Sequence, residues 1–256
     1  MKQVIAITGA SSDLGELASH ELAKAGHIVY AGIGASGRRK DSRIRAIRRF
    51  AVRNSVDLRA IELEGSSDYS PQSAIGRIVS ECGRLDVLIH IIGPEAFGSA
   101  GACKPEQLAQ LYDTCVLATQ LVNKAALPVF RDQSHGLVVW VAGSQTHEKT
   151  QHHLGSYLAA KAALDALAAS HASELARWNV ESTILLPGVM DTARAILAVV
   201  EMTAGTRPLL VHPDNKQTDH ETAGDGAVSL RAAGFRKMRL GELLRASARR
   251  VIDMYS

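Results

Sequence analysis

A tyrosine and a lysine four residues apart are the pair in this sequence best suited to chemistry. Tyr157 and Lys161 stand in an alanine-rich segment with a helical pattern, and residues at this spacing lie on one face of a helix, one turn apart. An ammonium close to a phenol favours the phenolate, so we expect the pKa of Tyr157 to fall from its usual value of about 10 toward the range of a general acid or base. Ser144 precedes Tyr157 by thirteen positions, just after an apolar run. A hydroxyl there could hydrogen-bond a substrate oxygen while the phenol donates or accepts its proton.

A second candidate site is the turn at residues 8–15, which follows a short apolar run and precedes a helical pattern. This is the context in which backbone N–H groups bind a pyrophosphate at the positive end of a helix. The alternative is that Asp13 is only a residue of the helix start, where aspartate is favoured, and that nothing binds here. The candidate cofactor-binding residues of the turn are Thr8, Gly9, Ser11, Ser12, Asp13, Leu14 and Gly15.

Together these segments resemble the short-chain dehydrogenase/reductase family, in which the turn usually reads Thr-Gly-x-x-x-Gly-x-Gly. Here Asp13 replaces the middle glycine, whereas the serine, tyrosine and lysine of the family's active site are all present. The resemblance implies that Tyr157 is the general acid/base and that Lys161 lowers its pKa and holds the nicotinamide ribose. It implies that Ser144 orients the substrate oxygen. The resemblance runs from residue 8 to residue 192 and so covers most of the chain.

The resemblance also implies cofactor contacts outside the glycine turn. In relatives a Pro-Gly-x-x-x-Thr segment, here residues 187–192, binds the nicotinamide carboxamide, and an acidic residue at the position of Glu64 contacts adenine. A strand that ends Asn-Asn-Ala-Gly or His-Asn-Ala-Gly in relatives is matched here with Ile91 and Ile92 in place of the second asparagine and the alanine. The residues assigned in this way are Glu64, Gly93, Pro187, Gly188, Val189 and Thr192, beside Tyr157 and Lys161.

The loop after the second predicted strand favours NADP, with NAD possible. An acidic residue at this place would hold the ribose 2′-hydroxyl of NAD, whereas a basic residue suits the 2′-phosphate of NADP. The loop has no acid before Asp41 and contains Ser36 and Arg38, followed by two further basic residues. We therefore expect Ser36 and Arg38 to contact the 2′-phosphate. The alternative is a solvated loop that binds nothing.

Cys115 stands where relatives place a fourth catalytic residue, an asparagine. The backbone carbonyl of that asparagine helps to hold a water that links the active lysine to solvent, and a carbonyl role survives the change to cysteine. The thiol does not replace the two amide donors. A role for Cys115 as a nucleophile is disfavoured, because buried cysteine is usually inert.

Composition and charge limit the partners. The 256 residues are 46% hydrophobic and 21% charged, and a net charge of +3 is too small to argue for nucleic acid. Three cysteines without a C-x-x-C pair favour a reducing compartment, and no apolar run approaches the roughly 18 residues of a membrane span. His147, His152 and His153 have no partner at ligand spacing. We expect a cytoplasmic protein with no nucleic-acid, membrane or metal partner.

Short β-rich runs alternate with longer helical patterns, which predicts an α/β fold, namely a Rossmann-like, doubly wound, seven-stranded parallel sheet with helices on both faces. No linker divides the chain, so we expect one domain over residues 1–256, with a substrate-side and C-terminal extension from about residue 190. The predicted strands cover residues 3–7, 28–32, 58–63, 86–92, 137–141, 180–186 and 208–211. The first predicted helix follows the turn at residues 8–15 and ends near residue 25. The other predicted helices cover residues 42–54, 71–82, 107–130 (with Pro128 marking its end), 155–177, 192–202 and 228–249.

Three functions stay open from the sequence. The first is an NAD(P)-dependent oxidoreductase that interconverts a carbonyl and an alcohol, with Tyr157 supplying the proton. The second, motivated by the departures at Asp13, Ile91 and Cys115, is a catalytically weak or inactive member that senses a dinucleotide or acts as an interaction protein. The third is an oligomeric scaffold that binds no nucleotide.

The sequence also gives an expectation for the substrate pocket, and the resemblance gives one for the oligomeric state. The apolar residues Pro94, Phe97, Leu154 and Met190 indicate an apolar pocket, which favours a hydrophobic ketone or alcohol as the substrate. Relatives use the long helix and the tyrosine-bearing helix for subunit contacts, so we expect a homodimer or homotetramer.

Overall fold

Seven parallel strands form the centre of the fold, in the order β3-β2-β1-β4-β5-β6-β7. The computed structural model describes residues 1–34, 40–63, 65, 69–91, 103–141, 155–186 and 192–211, all within the compact unit Met1–Thr218. The strands are β1 Val4–Thr8, β2 Ile28–Ile33, β3 Leu58–Glu62, β4 Val87–His90, β5 Gly136–Val141, β6 Val180–Leu185 and β7 Leu210–Val211. The predicted Rossmann-like parallel sheet is therefore confirmed. The expectation that residues 212–256 belong to the same domain stays a prediction.

The helices connect the strands and surround the sheet. They are α1 Asp13–Lys24, α2 Lys40–Asn54, α3 Tyr69–Cys82, α4 Pro105–Tyr112, α5 Ala118–Gln133, α6 Gly155–Leu175 and α7 Thr192–Glu201. A single 3₁₀ turn, Ala176–Trp178, follows α6. The predicted helix at residues 228–249 lies outside the described residues.

The strand sequences explain why the sheet is central. Every residue of β1 and of β4 is buried, and both strands are almost wholly apolar, as expected for strands covered on two faces. Alanine, valine, leucine and isoleucine make up most of the core, together with Tyr30, Phe130 and Trp140. The sheet order reverses between β1 and β4, and in open α/β sheets the ligand crevice lies at the carboxyl ends of the strands at such a point.

The long helix predicted for residues 107–130 differs from expectation in two ways. Its hydrogen bonding widens into a π-helical turn, Asp113–Leu117, between α4 and α5. The prediction that Pro128 marks the end of the helix was wrong, because α5 continues to Gln133. Proline inside a helix costs roughly 3 kcal/mol, but Ala126 and Phe130 on either side are fully buried, so packing of this segment outweighs the local preference.

A buried arginine fixes the end of α7, the helix that begins at Thr192. The Arg207 guanidinium donates to the Val199, Val200 and Met202 carbonyls at distances of 2.7 to 3.2 Å, and it forms an ion pair with Glu181 of β6. The side chain of Arg207 is only 6% exposed. Carbonyls at the end of a helix have no partners within the helix, so the guanidinium satisfies them and holds α7 against the sheet.

None of the helices within the described ranges is long and apolar enough to cross a bilayer.

We predict that Arg207→Met lowers the free energy of unfolding by about 3 to 5 kcal/mol, because it leaves Glu181 and the end of α7 without their buried partner. Urea denaturation followed by circular dichroism measures the change. Arg77→Met is the matched control, since the Arg77 and Glu81 side chains are 59% and 32% exposed and such pairs contribute at most about 1 kcal/mol. Equal effects of the two substitutions would contradict the role of Arg207.

Candidate active site

The site lies at the carboxyl edge of the sheet, where β1, β4 and β5 end side by side. In the parallel register Thr8 is paired with His90, and His90 is paired with Trp140. The turn after β1 therefore lies beside the ends of the two strands that follow the reversal in sheet order. This is the crevice in which dinucleotides bind in doubly wound sheets.

Two glycines allow the turn to pass close to the neighbouring backbone. Gly9 has φ of +67°, and a methyl carbon placed on it would lie 1.8 Å from the carbonyl oxygen of Ile91. A methyl carbon on Gly15 would lie 2.2 Å from the Gly9 carbonyl oxygen. No side chain fits at either place, so the start of α1 is held directly against β1 and the end of β4.

The first turn of α1 presents backbone donors. Ser12 caps the helix, because its hydroxyl accepts from the Gly15 N–H at 3.1 Å and its carbonyl accepts from the Glu16 N–H at 2.8 Å. The Asp13 and Leu14 N–H groups have no hydrogen-bond partner among the described residues. Their place at the positive end of a twelve-residue helix fits an anionic group such as a pyrophosphate. Asp13 itself is exposed.

Lys161 is buried at the end of β5. It is 2% exposed, and its Nζ donates to the Val141 carbonyl at 3.0 Å. Burial lowers the pKa of the Lys161 ammonium, and the nearby Cys115 and Asp165 act in the opposite direction. Tyr157, half-buried, precedes Lys161 by one turn on α6, as the spacing predicts.

The pKa of Tyr157 is raised, opposite to the expected direction. Burial is the main cause, because it disfavours the charged phenolate, and electrostatic interactions with the nearby Cys115 and Asp165 act in the same direction. The Lys161 ammonium, which we expected to lower this pKa, donates to the Val141 carbonyl. The phenol is therefore held in its protonated form.

Cys115 is fully buried in the π-helical turn and packs against Leu111 and Ala160, which brings the turn against α6. Burial raises the pKa of the Cys115 thiol, which is consistent with an inert side chain. Its backbone carbonyl accepts from the Thr119 hydroxyl at 2.7 Å.

Sequence reasoning missed a buried polar pair that supports the turn. His90 Nε2 lies 2.9 Å from Asn123 Oδ1 of α5, and His90 Nδ1 lies 3.4 Å from the Thr8 hydroxyl. His90 and Asn123 are both fully buried, and the His90 ring packs 4.9 Å from the Trp140 ring. Burial lowers the pKa of His90 to about 4, so the ring is neutral. The signal in the sequence was an asparagine on the same helix face as Val122, Ala126 and Phe130.

Several sequence-predicted site residues lie outside the described residues. They are Ser144, Ser36, Arg38, Glu64, Gly93, Pro187, Gly188 and Val189. The same holds for the pocket residues Pro94, Phe97, Leu154 and Met190, and for the three histidines at positions 147, 152 and 153. Thr192 is described and is the first residue of α7. Within the described ranges, no group of three or more His, Cys, Asp or Glu residues could hold a metal ion.

Comparisons with known proteins agree with the fold. The family model described as short chain dehydrogenase matches residues 3–199. A 3-ketodihydrosphingosine reductase from Bacteroides thetaiotaomicron is 28% identical over 190 residues, which cover 74% of this chain and 65% of that protein. This chain therefore matches less than two thirds of that relative's length.

Two crystal structures show the same fold at low sequence identity. A short-chain dehydrogenase from Streptomyces avermitilis superposes with a TM-score of 0.71 at 21% identity, covering 94% of this chain and 99% of the other. A metagenomic short-chain oxidoreductase in complex with NADP gives a TM-score of 0.72 at 22% identity, covering 82% and 95%.

We predict that Gly9→Ala lowers the free energy of unfolding by at least about 2 kcal/mol, because alanine is strained at positive φ and its methyl group would meet the Ile91 carbonyl. Urea denaturation measures the change. Gly76→Ala is the control, since Gly76 lies inside α3 with open space around it and should gain up to about 1 kcal/mol. A neutral Gly9→Ala would contradict the close approach.

We predict that His90 makes the protein less stable in acid. In the unfolded chain this histidine binds a proton near the ordinary histidine pKa of 6.5, whereas the folded protein lowers its pKa to about 4, so the unfolded state binds more protons between these values. Stability should therefore fall as the pH drops from 6.5 toward 4, by up to about 3 kcal/mol for this residue. Urea denaturation of the wild type and His90→Asn from pH 4 to 8 measures this difference.

His135→Asn is the control for that series, because the His135 side chain is 52% exposed. The pH dependence of stability should decrease in His90→Asn and persist in His135→Asn. The same slope in all three proteins would refute the assignment to His90.

Proposed function

The chain belongs to the short-chain dehydrogenase family, and we propose that it is an NAD(P)-dependent oxidoreductase that interconverts a carbonyl group and an alcohol. The family assignment follows from the match over residues 3–199.

The observation that carries the proposal is the buried lysine of α6. Burying an ammonium is costly unless it is hydrogen-bonded, and Lys161 is 2% exposed at the carboxyl edge of the sheet. Tyr157 stands one turn before it, and the glycine turn of β1 opens at the same edge. A phenol, an ammonium and a set of backbone donors for an anion at one edge fit a dinucleotide-dependent reaction.

The proposed division of roles follows from these positions. A bound nicotinamide dinucleotide would supply or accept the hydride. The N–H groups at the start of α1 bind its pyrophosphate, and Lys161 and Thr192 position its nicotinamide end. Tyr157 donates its proton to the substrate oxygen during reduction and accepts it during oxidation. Ser144 orients that oxygen.

The raised pKa of Tyr157 favours one direction of the reaction. A phenol that is protonated at neutral pH has its proton ready for carbonyl reduction, whereas alcohol oxidation needs the phenolate. Reduction should therefore hold across neutral pH, and oxidation should increase as the pH rises.

NADP is the proposed cofactor, with NAD possible. Solved neighbours of the same fold in complex with NADP and with NADH support a nicotinamide dinucleotide as the cofactor, and the basic loop after β2 favours NADP. The carboxylate of Glu62, the last residue of β3, forms an ion pair with Lys40 at 2.6 Å, so the negative charge of Glu62 is already compensated.

A hydrophobic ketone is the proposed substrate class, and the relative whose name states a 3-keto compound supports it.

A homodimer or homotetramer formed through α5 and α6 is part of the same proposal. A cleft of about 270 Å³ lies between these helices. Its lining includes the apolar side chains of Leu127, Pro128 and Trp178.

A second candidate, a dinucleotide sensor with weak or no turnover, is favoured by one observation. The pKa of Tyr157 is raised rather than lowered, and the Cys115 thiol that contributes to this effect stands where relatives have an asparagine. A phenol that releases its proton reluctantly slows any step that needs the phenolate.

We predict that Tyr157→Phe lowers kcat for carbonyl reduction by a factor of about 10² to 10⁴ while the Kd for NADPH changes less than about twofold. Steady-state kinetics against a panel of apolar ketones and fluorescence titration of NADPH measure the two quantities. Tyr69→Phe is the control, because Tyr69 is 78% exposed at the start of α3. A wild type that binds NADPH without turnover favours the sensor, and turnover retained in Tyr157→Phe refutes the assigned role.

A further inference from the structure

We propose that the outward face of α2 is a docking surface for a membrane of anionic lipids. This surface, which we call the arginine face, consists of Arg45, Arg48, Arg49 and Arg53 with Val52 among them. These positions are three or four residues apart along the helix, so they form one stripe about 12 Å long. The arginine face lies outside the candidate active site, and its binding does not depend on the proposed reaction.

The packing of α2 fixes the direction of the arginine face. Ile47 is buried in the hydrophobic core, and the partly buried Ile44 and Ala51 pack against the same core. The spacing of residues 44, 47 and 51 puts them on the side of the helix opposite the arginines. The four arginines are exposed, and the Val52 side chain is 81% exposed. The helix is therefore held on the sheet with its arginine face toward solvent.

The arginine face has no compensating negative charge. Within the part of the chain that the structure describes, none of its four arginines takes part in an ion pair, and Asp41 is the only acid of α2. A solvated helix face usually carries both signs of charge. Several basic residues elsewhere on this protein do have a carboxylate partner, namely Lys24 with Glu21, Lys40 with Glu62, Arg59 with Asp57 and Arg77 with Glu81.

The like charges of the arginine face act against the helix that carries them. Arg49 lies four residues from both Arg45 and Arg53, and like charges at this spacing destabilise a helix. The packing of Ile47 on the core holds α2 in place despite this repulsion. An anionic surface would relieve the repulsion by supplying the missing counter-charge. Charge complementarity therefore favours a partner that presents many negative groups.

Val52 favours a lipid surface over other polyanions. Its exposed side chain stands among the arginines, one turn after Arg48 and three residues after Arg49. An apolar side chain gains by entering the boundary between lipid headgroups and acyl chains, whereas contacts to a nucleic-acid backbone are made by polar and charged groups. Guanidinium groups bind phosphates well and are attracted to anionic leaflets. The arginine face thus combines the two attractions that an anionic membrane offers.

The arginine face begins beside the edge of the sheet at which the candidate active site opens. The α2 helix follows β2, and Lys40 at its start is paired with Glu62 at the carboxyl end of β3. Docking through α2 would bring this edge close to the lipid phase. A hydrophobic ketone of the proposed substrate class dissolves in that phase.

Co-sedimentation with lipid vesicles tests the proposal, using phosphatidylcholine alone and phosphatidylcholine with about 30% phosphatidylglycerol. At about 0.1 M salt the wild type should bind the anionic vesicles at least about tenfold more tightly than the neutral ones, and about 1 M salt should abolish the difference. Each arginine near an anionic surface contributes about fivefold, so the double variant Arg48→Gln and Arg49→Gln should bind about 10- to 30-fold more weakly.

The matched control is the double variant Arg77→Gln and Arg131→Gln. It removes the same charge from side chains that are 59% and 54% exposed on α3 and α5, and each of them has a carboxylate partner. Vesicle binding should change less than about twofold, because these charges are already compensated. All four substituted arginines are exposed, so both double variants should keep the circular dichroism of the wild type.

Tryptophan fluorescence tests the role of Val52. The emission of Val52→Trp should shift to shorter wavelength on anionic vesicles, whereas Tyr69→Trp, at a 78% exposed position on α3, should show no shift. The inference is overturned by equal binding to both kinds of vesicle, by equal losses in the two double variants, or by no shift in Val52→Trp. Tighter binding to a DNA duplex than to anionic vesicles at the same salt also overturns it. None of these results affects the proposed function, which is tested by turnover and by NADPH binding.

Discussion

The close approach of the β1–α1 turn to the end of β4 is the constraint on which the site depends. Gly9 lies so near the Ile91 carbonyl that no other residue fits, and Gly15 closes the helix start onto Gly9 in the same way. This contact sets where α1 begins and therefore where its unpaired N–H groups point. The buried His90 extends the contact sideways, since it reaches the Thr8 hydroxyl on one side and Asn123 of α5 on the other. His90 thereby links the end of β1, the end of β4 and α5.

Burial of Lys161 has two opposing consequences for the chemistry. The low-dielectric surroundings strengthen any interaction that its ammonium makes, but they also lower its own pKa and raise that of Tyr157. The Val141 carbonyl stabilises the ammonium at the carboxyl end of β5. The packing around Lys161 therefore goes together with a protonated phenol at Tyr157, which suits the proposed role of Tyr157 as a proton donor.

The sequence was sufficient to predict the fold and the position of Tyr157 and Lys161 on one helix. All seven strands were predicted, because buried parallel strands are short apolar runs, and the spacing of Tyr157 and Lys161 placed them on one face of α6. Features that depend on tertiary contacts were not predictable in this way. Pro128 reads as a helix end unless the burial of its neighbours is known.

The same limit applies within the site. The direction of the Tyr157 pKa depends on how deeply α6 is buried, and no local pattern reports that depth. The pairing of His90 with Asn123 joins residues 33 positions apart. A basic stretch such as residues 43–53 reads as a solvated helix face, and only the burial of Ile47 shows where this helix meets the core.

The departures from the family pattern fall at positions where the structure uses the backbone. Ile91 contributes its carbonyl to the contact with Gly9, while its side chain joins the hydrophobic core. Cys115 presents its carbonyl to Thr119, and its thiol packs against α6. Asp13 needs only to begin a helix, which aspartate does well, and its N–H remains at the positive end of α1. At Tyr157 and Lys161, where the proposed reaction needs the side chain itself, the residue type of the family is kept. The departures at Asp13, Ile91 and Cys115 are therefore compatible with the proposed reaction, because their backbone groups rather than their side chains make the contacts.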